Sequence, residues 1–295
     1  MKVLTQHAKS VFAVALLTSL FGGTAQASYT NVVLSNNPIA YWRLNETNGT
    51  TLVDSSPNGR NGVWYGSPTF GVPGIPAGQT NLNTAVQFNG TDVYASAPSA
   101  PSGSDSAYTP APTGWSANQG FSIEAWVKTP SPRAPGSEND VITRWFSSST
   151  IATYDMYVRF DGTLLGAVRD DAGNGGFNLF GPSITNNMFH QVVLTFGHDA
   201  LNNPFRKLYV DGTNYVNDTT TSLGTMSGNN YFSLSRADGG GGQLYKGVMD
   251  EVSVYATALS DATVLAHYEA GVIPEPSALM LLGVSGLLLL RRLRK

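Results

Sequence analysis

The chain offers few residues with chemistry to perform. In the strand-like run Val248-Met-Asp-Glu-Val-Ser-Val-Tyr255, Val248, Asp250, Val252 and Val254 share one parity, so Asp250 is expected on an otherwise apolar face. An unpartnered carboxylate there would cost on the order of several kcal/mol, so Asp250 must be hydrogen-bonded, ion-paired or bound to a cation. A retaining glycosidase needs two carboxylates about 5–5.5 Å apart, which one strand supplies at i, i+2 or i+4. Glu124 has no acidic residue at 122, 126 or 128, and Glu251 has none at 249, 253 or 255. No Gly-x-Ser-x-Gly elbow occurs, and the four histidines contain no metal-spaced pair. His7 lies in the leader, while His190 at a strand start, His198 in a loop and His267 on a polar helix face read as structural or solvated. The expectation is a protein that is not an enzyme. Binding is the remaining class. Trp64, Tyr65, Trp115 and Trp145 lie near turns, where rings can stack on the C–H faces of sugars, and they are the expected ligand-binding residues.

Composition narrows the partners. With 17 Lys+Arg against 20 Asp+Glu there is no cationic field for phosphate, so nucleic acid is not an expected partner. The absence of cysteine excludes a disulfide framework, thiolate metal sites and a Cys nucleophile. Gly (32) and Pro (16) are abundant, as short strands joined by tight turns require.

Strands are therefore the elements that must position these residues. Phe121, Ile123, Ala125 and Val127 alternate with Ser122, Glu124, Trp126 and Lys128, and Val192, Leu194 and Phe196 share a face, as do Phe232 with Leu234 and Trp42 with Leu44. Asn89-Gly90, Asp161-Gly162 and Asp211-Gly212 supply the positive φ of hairpin turns. One C-terminal helix is predicted, with Ser260 as N-cap, Val264, Leu265 and Tyr268 on its packed face and Gly271 just past its end.

The two ends read as addresses. Lys2 and Lys9, the apolar run 11–21 and Ala25-Gln26-Ala27 form a secretory signal helix over residues 1–27. At the other end Pro274-Glu275-Pro276 precedes the apolar run 278–290 and then Arg291, Arg292 and Arg294. That hydrophobic helix is short for a lipid span, and its basic end would stay cytoplasmic. Residues 272–295 resemble the PEP-CTERM sorting signals. The resemblance implies a Gram-negative bacterium, transient inner-membrane anchoring, recognition of Pro274-Glu275-Pro276 by an exosortase-type membrane protease, and release or display at the surface or in the extracellular matrix. Removing both ends takes away Lys2, Lys9, Arg291, Arg292, Arg294 and Lys295 but only Glu275 among the acids, leaving an acidic middle.

That middle, residues 28–271, is long enough for one large β sandwich. Residues 38–46, the loop Asp54-Ser-Ser-Pro-Asn-Gly-Arg-Asn-Gly62, residues 85–90, 121–127, 189–192 with 208–212, and 248–255 with Ala258-Leu259-Ser260 follow one another in the order of a known family. Together they resemble the laminin-G-like, concanavalin A-like jelly roll. The resemblance implies an all-β, two-sheet antiparallel sandwich with a short C-terminal helix. The Glu-x-Asp-x-x-Glu pattern of β-glucanases on this fold is absent. In the family the Asp of the Asp-Glu-Val motif often holds a structural calcium ion with the first Asp-rich loop, which here makes Asp54, Asn58, Asn61 and Asp250 the calcium candidates; hydrogen-bonded carboxylates around an Asn-Gly turn are the alternative. Pro57 stands where the family commonly has Gly. The expected function is lectin-like binding or adhesion to exopolysaccharide, with an inert matrix component held by calcium and packing as the alternative and a glycan-active enzyme behind both.

Overall fold

The computed structural model describes residues 28–75, 83–97, 120–131, 140–146, 152–170, 172–219, 223, 232–235 and 243–272, all within one compact unit, Ser28–Pro274. The signal segment, Trp115 and the sorting residues Pro274, Glu275, Pro276, Arg291, Arg292 and Arg294 lie outside the described residues. Among the described residues no helix is long and apolar enough to cross a membrane.

The helix α1 (Tyr29–Ser35) comes first, followed by β1 (Ala40–Trp42), β2 (Thr51–Leu52), β3 (Gly62–Tyr65), β4 (Thr69–Pro73), β5 (Thr84–Asn89), β6 (Tyr94–Ala97) and β7 (Phe121–Lys128). Then come β8 (Asp140–Phe146), β9 (Ala152–Val158), β10 (Thr163–Val168), β11 (Phe177–Ser183), β12 (Phe189–His198), β13 (Pro204–Val210), β14 (Thr213–Asp218), β15 (Phe232–Leu234), β16 (Lys246–Tyr255) and α2 (Asp261–Val272). One sheet runs β14-β13-β12-β7-β16-β5-β4, with β1 also on β16; the other runs β11-β10-β9-β8-β15-β6-β3-β2. All pairings are antiparallel.

The alternation read in the sequence decides what lies between the sheets. Phe121, Ile123, Ala125, Val127, Val192, Leu194 and Phe196 face Tyr154, Met156, Leu164, Phe232 and Leu234 in one apolar core. Trp42 stacks on Phe232 with ring centroids 5.3 Å apart, joining the sheets. Each such side chain, fully buried, contributes about 1.5–3 kcal/mol. The opposite face of the first sheet is also dry: Trp126, Val193, Tyr209 and Tyr255 pack beneath α1 and α2 with Tyr29, Val33 and Val264. A strand can have two distinguishable faces and still expose neither.

Three local expectations change. Asp161-Gly162 and Asp211-Gly212 close the hairpins β9–β10 and β13–β14, but Asn89-Gly90 carries the chain from β5 in one sheet to β6 in the other. There Asn89 Oδ1 accepts from the N–H groups of Thr91, Asp92 and Val93, bending the strand end out of its sheet. Second, β16 carries a bulge between Asp250 and Ser253, with Glu251 at φ 51°. The extra residue reverses parity, so Met249 enters the core while Asp250 lies opposite Trp126, away from Val252 and Val254.

The third concerns α2. Ser260 does cap it, its Oγ accepting from the Thr263 N–H at 3.1 Å, but the buried stripe is Val264, His267, Ala270 and Gly271, and Leu265 is exposed. Gly271 lies inside the helix, against the indole of Trp126. A Cβ there would come within 2.8 Å of Cη2 and 2.9 Å of Cε2, with Cζ2 nearer still. The ring has no freedom to retreat, because its Nε1–H donates to the Tyr29 hydroxyl at 3.0 Å and its face stacks on Tyr268. In a free helix Gly→Ala gains about 1 kcal/mol. Here Gly271→Ala is expected to lose about 1–3 kcal/mol through overpacking, and urea unfolding should show the midpoint falling.

Candidate functional site

The loop Asp54–Gly62 is built on one carboxylate. Asp54 Oδ1 accepts from the backbone N–H of Tyr41 and of Ser56, both at 2.8 Å; Oδ2 accepts from Ser56 Oγ at 2.8 Å and from the Arg60 N–H at 2.6 Å. Asn61 Oδ1 accepts from the Asp54 N–H, and Asn58 donates to the carbonyls of Pro38 and Ile39. Asp250 belongs to a different cluster: its Oδ2 accepts from the Ile75 N–H at 2.8 Å and Asn83 Nδ2 at 3.0 Å, while Oδ1 is buried without a hydrogen-bond partner. A carboxylate offers about four lone-pair positions, and protein donors fill all of those on Asp54. The two clusters share no partner. The donor set therefore does not fit a calcium ion held by Asp54, Asn58, Asn61 and Asp250 together. Among the described residues no group of three or more His, Asp or Glu side chains is placed to hold a metal.

Asp250 and Glu251 form an adjacent buried acid pair. Arg43 donates to Glu251 Oε1 through Nε at 3.2 Å and Nη2 at 3.0 Å, Nη2 also reaches Asn83 Oδ1, and the Tyr41 hydroxyl donates to Glu251 Oε2. Burial, followed by the neighbouring Glu251 charge, holds the Asp250 pKa well above the carboxylate range. Burial also lifts that of Glu251, against the opposing Arg43 charge.

A third buried acid, Glu124, ties both helices to the first sheet. Its Oε1 accepts from Gln191 Nε2 at 2.7 Å and from the Tyr29 hydroxyl at 3.0 Å, and its Oε2 lies 2.7 Å from His267 Nδ1. His267 is fully buried, so the expected polar helix face is an interface. Its Nε2 lies 3.0 Å from Asn36 Nδ2. Burial is the largest influence on both members, raising Glu124 and lowering His267, but mutual charge and hydrogen bonding outweigh it. Glu124 ends below its ordinary 4.5 and His267 above its ordinary 6.5.

These acids are walled in, and accessible chemistry lies elsewhere. An open cavity of about 460 Å³ separates the end of α1 from the Asp54 loop. Leu34, Asn37, Pro38 and Ile39 line it on one side and residues 55–58 on the other, with Asn37 and Ser55 exposed. Of the expected aromatic platforms, Trp64 is 4% exposed and packs on Phe70 and Phe88 in the core, because its parity on β3 points inward. Tyr65 points outward, stacked on Tyr94 at 4.5 Å. Trp145 lies on β8 opposite Phe232. The cavity escaped the sequence reading because α1 has no sequence signal stronger than Ser28, whose Oγ accepts from the Asn31 N–H as its N-cap.

Two antiparallel sheets packed face to face, with short connections and a helix after the last strand, are the architecture that the ordered motifs implied. Residues 101–265 match the family described as Laminin_G_3, concanavalin A-like lectin/glucanases superfamily. The chain belongs to this superfamily. No curated protein matches it. Solved structures agree on the fold of this laminin-G-like sandwich. The binding domain of botulinum neurotoxin serotype G is 15% identical with a TM-score of 0.59, covering 79% of this chain and 51% of that one. The binding domain of Paraclostridial mosquitocidal protein 1 is 15% identical with a TM-score of 0.57, covering 80% and 52%. The ligand-binding domain of botulinum neurotoxin serotype D, solved in complex with N-acetylneuraminic acid, is 12% identical with a TM-score of 0.55, covering 82% and 52%. The chain thus spans about half the length of the structures it matches.

Proposed function

We propose that this laminin-G-like domain is an exported, non-catalytic module that binds extracellular polysaccharide in the cavity between α1 and the Asp54 loop. The cavity's lining carries the reading: the exposed Asn37 amide and Ser55 hydroxyl supply directed hydrogen bonds for sugar hydroxyls, and Leu34 and Ile39 supply an apolar surface for ring C–H faces. Its volume falls in the roughly 300–1,000 Å³ range of small-molecule sites. Burial of Glu124, Asp250 and Glu251 among protein donors supports a binding rather than a hydrolytic role. The leader pattern of residues 1–27 and the Pro274-Glu275-Pro276 tail with its terminal arginines support export, with an exosortase-type protease as the processing partner.

Affinity electrophoresis through gels cast with different polysaccharides tests the reading. Retardation by one polysaccharide is expected, and Ser55→Trp, which fills the cavity from an exposed position, should abolish it. Free migration in every gel would favour the inert matrix component. Intact-mass analysis of the protein from its native cells should show a chain beginning at Ser28 and ending near Ile273, outside the inner membrane.

A further inference from the structure

The outer face of the second sheet carries an aromatic cluster that the cavity does not use. Across β9, β10 and β11, Tyr157, Leu165 and Phe180 stand directly opposite one another, on the face away from Met156, Val158, Leu164 and Leu179. Tyr157 and Leu165 are buried, whereas Phe180 is 52% exposed and Phe160, in the adjoining turn, is 62% exposed. Between these rings lies the Arg159 guanidinium, 5.2 Å from the Phe160 centroid and 5.1 Å from that of Phe180. Its position is set: Nη1 donates to Asp161 Oδ2 at 2.7 Å and to Thr163 Oγ1 at 3.2 Å, and the backbone closes the turn through Arg159 N–H to the Thr163 carbonyl. Gly162, at φ 86°, lets the Thr185 and Ser183 hydroxyls approach the same turn.

The geometry points to a binding site for a carboxylated sugar, of the hexuronate class, at Arg159, Phe160 and Phe180. Nη1 is committed, but Nε and Nη2 have no protein partner among the described residues, and this edge of a guanidinium is the planar fork that grips a carboxylate with two parallel hydrogen bonds. The flanking rings take the apolar face of a pyranose. Asp161 balances the arginine charge, so the patch has no net positive field for a dianionic phosphate; a single carboxylate on an apolar-faced ring is the better match.

Titration of the full chain with trigalacturonate, and with the same trisaccharide after reduction of its carboxyls to alcohols, tests the site. The acid is expected to bind at least tenfold tighter. Arg159→Lys keeps the charge but lacks the fork and should cost at least fivefold; Arg159→Met should abolish the difference between the two sugars. Phe180→Ala should weaken both sugars and serves as the second variant should Arg159→Met fail to fold. Equal affinity for acid and alcohol, no binding of the acid at millimolar concentration, or unchanged acid binding in Arg159→Met would each overturn the proposal.

Discussion

Glu124→Ala is expected to destabilise the domain by about 3–5 kcal/mol, the range for removing one member of a buried ion pair. The substitution strands three polar groups at once: His267 Nδ1, the Gln191 amide and the Tyr29 hydroxyl, each within 3.0 Å of the lost carboxylate. Tyr29 and His267 come from the two helices, so the outer layer should loosen from the first sheet together. For a domain of this size the loss corresponds to a fall in Tm on the order of 10 °C. The wild type should show the pair in its pH profile. His267, with a raised pKa, contributes fully below 6.5 and loses its contribution as pH climbs through the raised value. Glu124, with a lowered pKa, contributes fully above 4.5 and loses its contribution as pH falls through the lowered value. The pair is therefore worth most between about pH 4.5 and 6.5, so the stability lost in Glu124→Ala should be largest in that window and shrink on either side of it. Thermal melts from pH 3 to 9 that are parallel for mutant and wild type would contradict the assignment.

Asp54→Ala should cost a comparable amount for a different reason. No charge partner is lost, but four donors lose their acceptor in a loop whose anchor is 8% exposed, and each buried donor left unpaired costs about 1–3 kcal/mol. Water reaches part of the loop, so we expect about 3–5 kcal/mol in total. Asp54→Asn should lose about half, because its amide keeps one acceptor and turns a donor toward other donors. Repeating the melts with calcium and with chelator separates this role from metal binding. A hydrogen-bond anchor gives the same loss in both solutions, whereas a ligand's loss would disappear in chelator. Since the same loop forms one wall of the open cavity, Asp54→Ala should also abolish retardation in polysaccharide gels.

The sequence by itself determined the sandwich. Period-2 alternation in Phe121–Lys128 and in residues 191–196 named the core residues correctly because neighbours on a pleated strand must face opposite ways, and the Asp-Gly turns named two hairpins because few residues adopt positive φ without strain. Three things required the tertiary structure. Whether the Ser122, Glu124 and Trp126 face met water or another layer depended on helices far away in the chain, since alternation records that two faces differ and not what covers each. The side on which Asp250 lies was decided by a bulge, a one-residue change of parity stabilised by Arg43 and Tyr41, more than 200 positions from Glu251. The accessible sites follow the same logic. Trp64 was named for its type, yet parity buries it, whereas Phe160 had a readable signal, a large ring in a hairpin turn, and is 62% exposed. Its meaning came only when the sheet set Phe180 and Arg159 beside it, because a binding surface is made of side chains that pairing across strands, not order along the chain, brings together.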